Sequence, residues 1–179
     1  MVESMNEVKH RIASTKSTRK ITEAMEMVQT VKLNKIQGQT KTYDQYVSKI
    51  KSVVMHLANT HMLDNQKPSS ADSSKSKTAY LVITSDRGMV GSYNSNAIRG
   101  TNRFIEKHTP NKADYLILAV GGNGADFYKK NGADVAYEYR GVSDIPTFSE
   151  VKEIVKAISQ MYEDGVFTEL YVCSNHFVN

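Results

Sequence analysis

Residues 2–61 read VESMNEVKHRIASTKSTRKITEAMEMVQTVKLNKIQGQTKTYDQYVSKIKSVVMHLANTH, with no proline and one glycine, Gly38. Apolar residues recur at Met5, Val8 and Ile12, then at Ile21, Ala24 and Val28. They continue at Leu33, Ile36, Tyr43, Val47, Ile50, Val54 and Leu57. Steps of three and four place one apolar stripe along a helix. At a rise of about 1.5 Å per residue such a helix runs to about 85–90 Å. A globule of this chain's length is only about 40 Å across. The helix therefore projects from its own domain or bends sharply, and a projecting stripe needs something to cover it. Gly38, about 1 kcal/mol worse than alanine in a helix, is the candidate bend.

Two details qualify the stripe. Between Ile12 and Ile21 the residues Ser14, Thr15, Lys16, Ser17, Thr18, Arg19 and Lys20 are all polar, and the stripe changes phase across them. It resumes with Ile21, Met25, Met27 and Val28. Methionines suit ordinary cores, and their flexible thioethers also suit surfaces that slide or adapt. Charge is uneven as well. The whole chain carries +4, while residues 1–60 alone carry a surplus of five positive charges. A basic arm beside a near-neutral remainder suits an acidic partner surface or nucleic acid, or is simply a solvated helix face.

Beyond the arm the composition shifts. Residues 64–77, DNQKPSSADSSKSK, hold no apolar residue except Ala71 and read as a flexible linker. The expected organisation is an arm at 1–61, a linker at 62–77 and an α/β domain at 78–179. Within that domain AYLVIT (79–84) and YLILAV (115–120) are short apolar runs typical of buried strands. Asn94 or Ser95 is the expected cap of a helix carrying Ala97, Ile98, Thr101, Ile105 and His108. Gly121, Gly122 and Gly124 lead into a short helix near Phe127 and Tyr128. Val135, Tyr137 and Tyr139 alternate with Ala136 and Glu138, as in a half-exposed strand. Thr147-x-x-Glu150 is a capping box. The helix after it places Val151, Ile154, Val155, Ile158 and Tyr162 on one face and ends at Gly165. A last strand covers Leu170–Cys173, with Cys173 expected to be buried. The fold expected is α/β: a long helical arm plus a Rossmann-like, mostly parallel sheet with helices on both faces.

Several functions lose support at this level. No run of eighteen apolar residues spans a membrane. One cysteine forms no internal disulfide, and no Cys/His cluster has zinc spacing. Gly121-Gly122-Asn123-Gly124 is neither G-x-G-x-x-G nor followed by Lys-Ser/Thr, which argues against a nucleotide loop. Asp86-Arg87-Gly88 lies where α/β enzymes place ligands, yet an Asp and Arg so close more often stabilise a turn. The histidines at 10, 56, 61, 108 and 176 have no nucleophile at a recognisable spacing. No catalytic, cofactor or metal set emerges.

Three stretches resemble the γ subunit family of the rotary F-type ATP synthase, bacterial type. Lys20-Ile21-Thr22-Glu23-Ala24-Met25-Glu26-Met27-Val28 resembles K-[IV]-T-x-A-M-x-M-V. Ser85-Asp86-Arg87-Gly88-Met89-Val90-Gly91, with Asn94 following, resembles the turn [ST]-D-R-G-L-x-G. Leu170 to Asn179 resembles L-Y-[IV]-x-[SY]-N-x-F-x-[NS]. The glycine turn at 121–127 and the cap at 147–150 fall between them in the family's order.

The resemblance implies a non-catalytic central-stalk rotor. Its long helix pairs with a C-terminal helix to make a shaft inside a ring of three α and three β subunits. The α/β domain sits outside that ring with the ε subunit and the membrane c-ring. The localisation implied is peripheral, at the cytoplasmic side of the cell membrane, with no lipid insertion, no cofactor and no nucleic acid. Partner contacts to the α and β subunits are expected at Lys9, Arg11, Lys16, Arg19, Lys20, Met25, Met27 and Val28. Asp86, Arg87, Gly88 and Gly91 are the expected structural turn. The sequence departs from the family at Glu23, often basic in relatives, at Val90 and Ser92, and at Asn123, often Lys. It also stops at Asn179, before the family's second shaft helix, so the chain alone is expected to self-associate through its stripe. A basic helical arm that binds nucleic acid is the alternative, weakened by having only Tyr43 and Tyr46 as aromatics in the arm. A small α/β enzyme using the Asp86 or glycine turn is a third.

Overall fold

The computed structural model describes residues 4–59, 77–143 and 145–176. The chain divides into two units, Met1–Asn65 and Gln66–Asn179. The expected linker falls mostly on residues 60–76, outside the described residues.

Among its described residues the first unit is one helix, α1 (Met5–Asn59), 55 residues and hence about 82 Å long. It passes through Gly38 without a break. Ser4 opens it, its Oγ accepting the Glu7 N–H at 3.4 Å, and Glu7 in the first turn and His56 in the last suit the helix dipole. Within the polar stretch, hydroxyls bond back to carbonyls of the preceding turn. Thr18 Oγ1 donates to Ser14 O at 3.1 Å and Thr22 Oγ1 to Thr18 O at 2.9 Å. The phase change has a size. At about 100° per residue, the row Ile21, Met25, Val28, Ile36, Tyr43, Val47, Ile50 and Val54 lies about 140° around the helix from Met5, Val8 and Ile12. All of these side chains are exposed.

The second unit is a four-stranded parallel sheet of order β3-β2-β1-β4. Its strands are β1 (Thr78–Ile83), β2 (Tyr115–Val120), β3 (Val135–Tyr139) and β4 (Glu169–Cys173). The helices are α2 (Tyr93–His108), α3 (Gly122–Lys130) and α4 (Phe148–Glu163). β2 is buried along its whole length, as a central strand covered on both faces must be. Its alternate residues serve two cores. Tyr115, Ile117 and Ala119 join Tyr80, Val82, Ile105, Ala125 and Tyr128 beneath α2 and α3. Leu116 and Leu118 join Ala79, Ile158 and Phe167 beneath α4. The first two crossovers step in one direction along the sheet and the third steps back. Right-handed connections therefore put α4 alone on the opposite face.

Three local expectations are corrected. The cap of α2 is Ser92, two residues before Asn94. Asn94 is inside the helix, where its Oδ1 accepts the Ser85 N–H at 2.9 Å. On α4 the side chains against the sheet are Ile154, Ile158, Met161 and Tyr162. Val151 and Val155, in the first half of the helix, lie on the same side of it but stay exposed. Cys173 is half-buried on an edge strand, where desolvation raises its thiol pKa.

The capping box forms as read. Thr147 Oγ1 accepts the Glu150 N–H, and Glu150 Oε2 accepts the Thr147 N–H at 2.7 Å. The other carboxylate oxygen accepts from Ser143 Oγ at 2.6 Å. These donors, the Ser143 hydroxyl foremost, hold the Glu150 pKa down to about 2 from 4.5. The pKa is lower in the folded state, so the cap's stabilisation is present above about 4.5 and is lost as pH falls toward 2. A carboxyl-carbon NMR titration should show Glu150 titrating near 2. Glu150→Gln should remove the acid dependence of Thr147 amide exchange in that window; an unchanged dependence would exclude the cap as its source.

Candidate functional site

In the second unit, the segment Thr84–Arg87 leaves the carboxyl end of β1, where open α/β sheets bind ligands. Here the position is filled by the chain itself. Asp86 Oδ1 accepts the Gly122 N–H at 2.7 Å, and Oδ2 accepts the Gly141 and Val142 N–H groups, both at 2.9 Å. One carboxylate thus ties the end of β1 to the start of α3 and to the chain leaving β3. The neighbouring residues add to it. Asn123 N–H donates to Ser85 O at 3.2 Å, and Gly124 N–H to Thr84 Oγ1 at 2.9 Å. The Asn123 side chain donates to Ser85 O at 2.7 Å and to Arg87 O at 3.3 Å.

A bound phosphate at the amino end of α3 would need these first N–H groups. All three donate to Thr84, Ser85 and Asp86. Asp86 supplies the negative charge that the helix end favours. The arrangement is a structural joint whose ligand is built in.

The turn residues play unequal parts. Asp86 is the hub. Arg87 contributes its carbonyl, which also accepts from Ser85 Oγ at 2.7 Å. A Cβ on Gly88 would meet nothing within 4 Å, whereas Gly91 has φ +56°. Met89 adopts φ 61° and is 94% exposed. The severest demand lies at Gly121, outside the turn. Its φ is +98°, and a Cβ there would sit 2.2 Å from Thr84 O. Thr84, Asn94 and Asn123 belong to the joint as well. Asn94 pairs with Ser85 nine residues away, while Thr84 and Asn123 reach partners 36 to 40 residues away across the sheet end.

On α1, helix geometry sorts the arm residues. Ile21, Met25 and Val28 share the apolar row. Lys9, Lys16, Lys20 and Met27, at steps of seven, four and seven, share another face, about 130° away. Met25 and Met27 are two positions apart and point to different sides. Arg11 lies nearer the apolar row. Arg19 Nε donates to Glu23 Oε1 at 2.7 Å. The departure at Glu23 therefore gives Arg19 a partner within the helix, in an exposed pair worth about 0.3–0.5 kcal/mol and easily exchanged.

The sequence matches the family described as ATP synthase over residues 4–179. It is 63% identical to the ATP synthase gamma chain of Levilactobacillus brevis over 181 residues, covering 100% of this chain and 60% of that protein. Identity to the ATP synthase gamma chain of Lactiplantibacillus plantarum is 53% over 192 residues, covering 100% of this chain and 61% of the relative. For the gamma chain of Ligilactobacillus salivarius it is 48% over 192 residues, with 100% and 62% covered. The chain thus spans about three fifths of the length of these relatives. A family match over residues 4–179, with full-length coverage of this chain at up to 63% identity, shows that the chain belongs to the ATP synthase gamma chain family.

Proposed function

We propose that this chain supplies the central-stalk rotor of an F-type ATP synthase. It couples ion flow through a membrane c-ring to conformational change at catalytic β subunits and is itself non-catalytic. The observation that carries this reading is the division of α1 into two exposed faces. The apolar row through Ile21, Met25, Val28, Ile36, Val47, Ile50 and Val54 suits a second helix of the shaft. The face with Lys9, Lys16, Lys20 and Met27 suits the acidic inner surface of an α/β ring. Ammonium groups on long stems hold such a surface by charge without locking into one pocket, which suits a contact that must slip. The α/β unit would carry the contacts to the ε subunit and the c-ring, and residues 62–77 would link it to the arm. Among the described residues no helix is long and apolar enough to cross a membrane. Attachment would then come through the complex, peripherally at the cytoplasmic side of the cell membrane.

A coupling role means that the stalk makes different contacts in different states of the ring. The test is a chimera in which residues 1–179 replace the matching part of the L. brevis gamma chain, assembled into the complete synthase, membrane sector included, in vesicles. Met27→Glu should lower proton pumping per ATP several-fold while hydrolysis continues. Met25→Glu should loosen the shaft and lower pumping together with assembly. Unchanged pumping per ATP in both variants would overturn the reading.

A further inference from the structure

An open groove of about 700 Å³ lies between α2 and α3 on the outer side of the sheet unit. Its floor is Ile98 and Phe127. Ile98 packs into the core from one side, while Phe127 is held edge-on against Tyr128 at 5.3 Å between ring centroids. Arg99 and Arg103 stand along one wall, one helical turn apart and so about 6 Å from each other. Among the described residues neither guanidinium has a hydrogen bond or an ion pair. Arg140, by contrast, is held by Asp126 and Glu138, and Lys129 by Glu138. Asn102 also lines the groove. Its Oδ1 accepts from the Tyr128 hydroxyl at 2.9 Å, which leaves its amide N–H groups as donors. Glu106 closes one end.

We propose that this groove docks an acidic, amphipathic helix of a partner protein. Two unpaired guanidinia one turn apart match two carboxylates four residues apart on a facing helix. The apolar floor takes a leucine-sized side chain from the same face. A free phosphate would use the guanidinia but leave the floor bare. A nucleic-acid strand would bring its phosphates against Glu106. The glutamate instead favours a basic residue one turn further along the partner. The proposal stands apart from the rotor reading, because it rests on the α2–α3 surface alone.

The test uses the 179-residue chain and a fluorescein-labelled, alanine-based helical peptide. The peptide carries two glutamates four residues apart and a leucine on the same face. Fluorescence anisotropy should show saturable binding. Arg99→Ala, Arg103→Ala and Phe127→Ala should each weaken it about tenfold, and Arg87→Ala, outside the groove, should leave it unchanged. A twin peptide with lysines in place of the glutamates should not bind. Circular dichroism of each variant confirms the fold, since all three side chains lie at the surface. Absence of binding at millimolar peptide overturns the proposal. So does binding that ignores the three substitutions, or equal competition by a single-stranded oligonucleotide that weakens with Arg87→Ala.

Discussion

Gly121→Ala is expected to destabilise the sheet unit by about 4 kcal/mol or more, enough to unfold much of it at room temperature. Two costs add. At φ +98° and ψ 134° an L side chain is held in a sparsely populated region, at about 1–3 kcal/mol. The new Cβ would also lie 2.2 Å from Thr84 O and 2.6 Å from Thr84 C. Those atoms are backbone at the end of β1, where Thr84 N–H donates to Val120 O at 2.8 Å. They cannot yield without pulling β1 from β2 or displacing the joint. Gly88→Ala is the matched control. Nothing lies within 4 Å of the added methyl, and the expected change is within about 0.5 kcal/mol. Urea denaturation of both variants, followed by tyrosine fluorescence, reads the difference. Equal midpoints would show that the approach of Gly121 to Thr84 is not the constraint described.

Asp86→Ala is expected to cost about 2–3 kcal/mol, mostly through the part-buried Gly122 N–H, because water can replace the acceptor at the exposed Gly141 and Val142 donors. Gly122 N–H lies on a buried residue at the amino end of α3, so its loss of a partner is the most expensive of the three. Asp86→Asn is expected to recover only part of this. Its amide can offer one oxygen, and its NH₂ would then face the Gly141 and Val142 N–H groups as donor against donor. The ordering wild type, Asn, Ala in urea midpoint is the expected outcome. Hydrogen exchange should quicken at Gly122, Gly141 and Val142 together in the alanine variant. If only one of these amides responds, the carboxylate does not act as a common hub.

The parts of this fold that were legible in the sequence are those set by local chemistry. The 3.6-residue period carried α1 from Met5 to Asn59. The apolar run Tyr115–Val120 is β2 to the residue. Thr147-x-x-Glu150 placed the start of α4 because a capping box needs only four consecutive residues. What the sequence did not resolve is set by partners far along the chain. Asn94 has the chemistry of a cap, yet Ser85 claims its side chain from nine residues away. Val151 and Val155 obey helical spacing as well as Met161 does, yet they stay exposed; where α4 seats on the sheet decides which are buried, and local spacing does not carry that. Asp86 reads as a turn former, whereas its acceptor bonds span 36, 55 and 56 residues. Arg99 and Arg103 show their four-residue spacing in the sequence, but the phenyl ring of Phe127 that completes the groove comes from another helix.

Under the proposed function, α1 would turn inside a ring of catalytic subunits, with different contacts on its two faces. The most direct measurement is single-molecule rotation of the chimera, with its α and β subunits fixed to a surface. A bead would be attached through Lys112→Cys, an exposed position of the sheet unit. On addition of ATP the expected result is sustained rotation in one direction, with several-fold fewer turns per ATP in Met27→Glu while hydrolysis persists. An assembled, hydrolysing complex whose bead shows only undirected Brownian motion, with and without ATP, would contradict the claim.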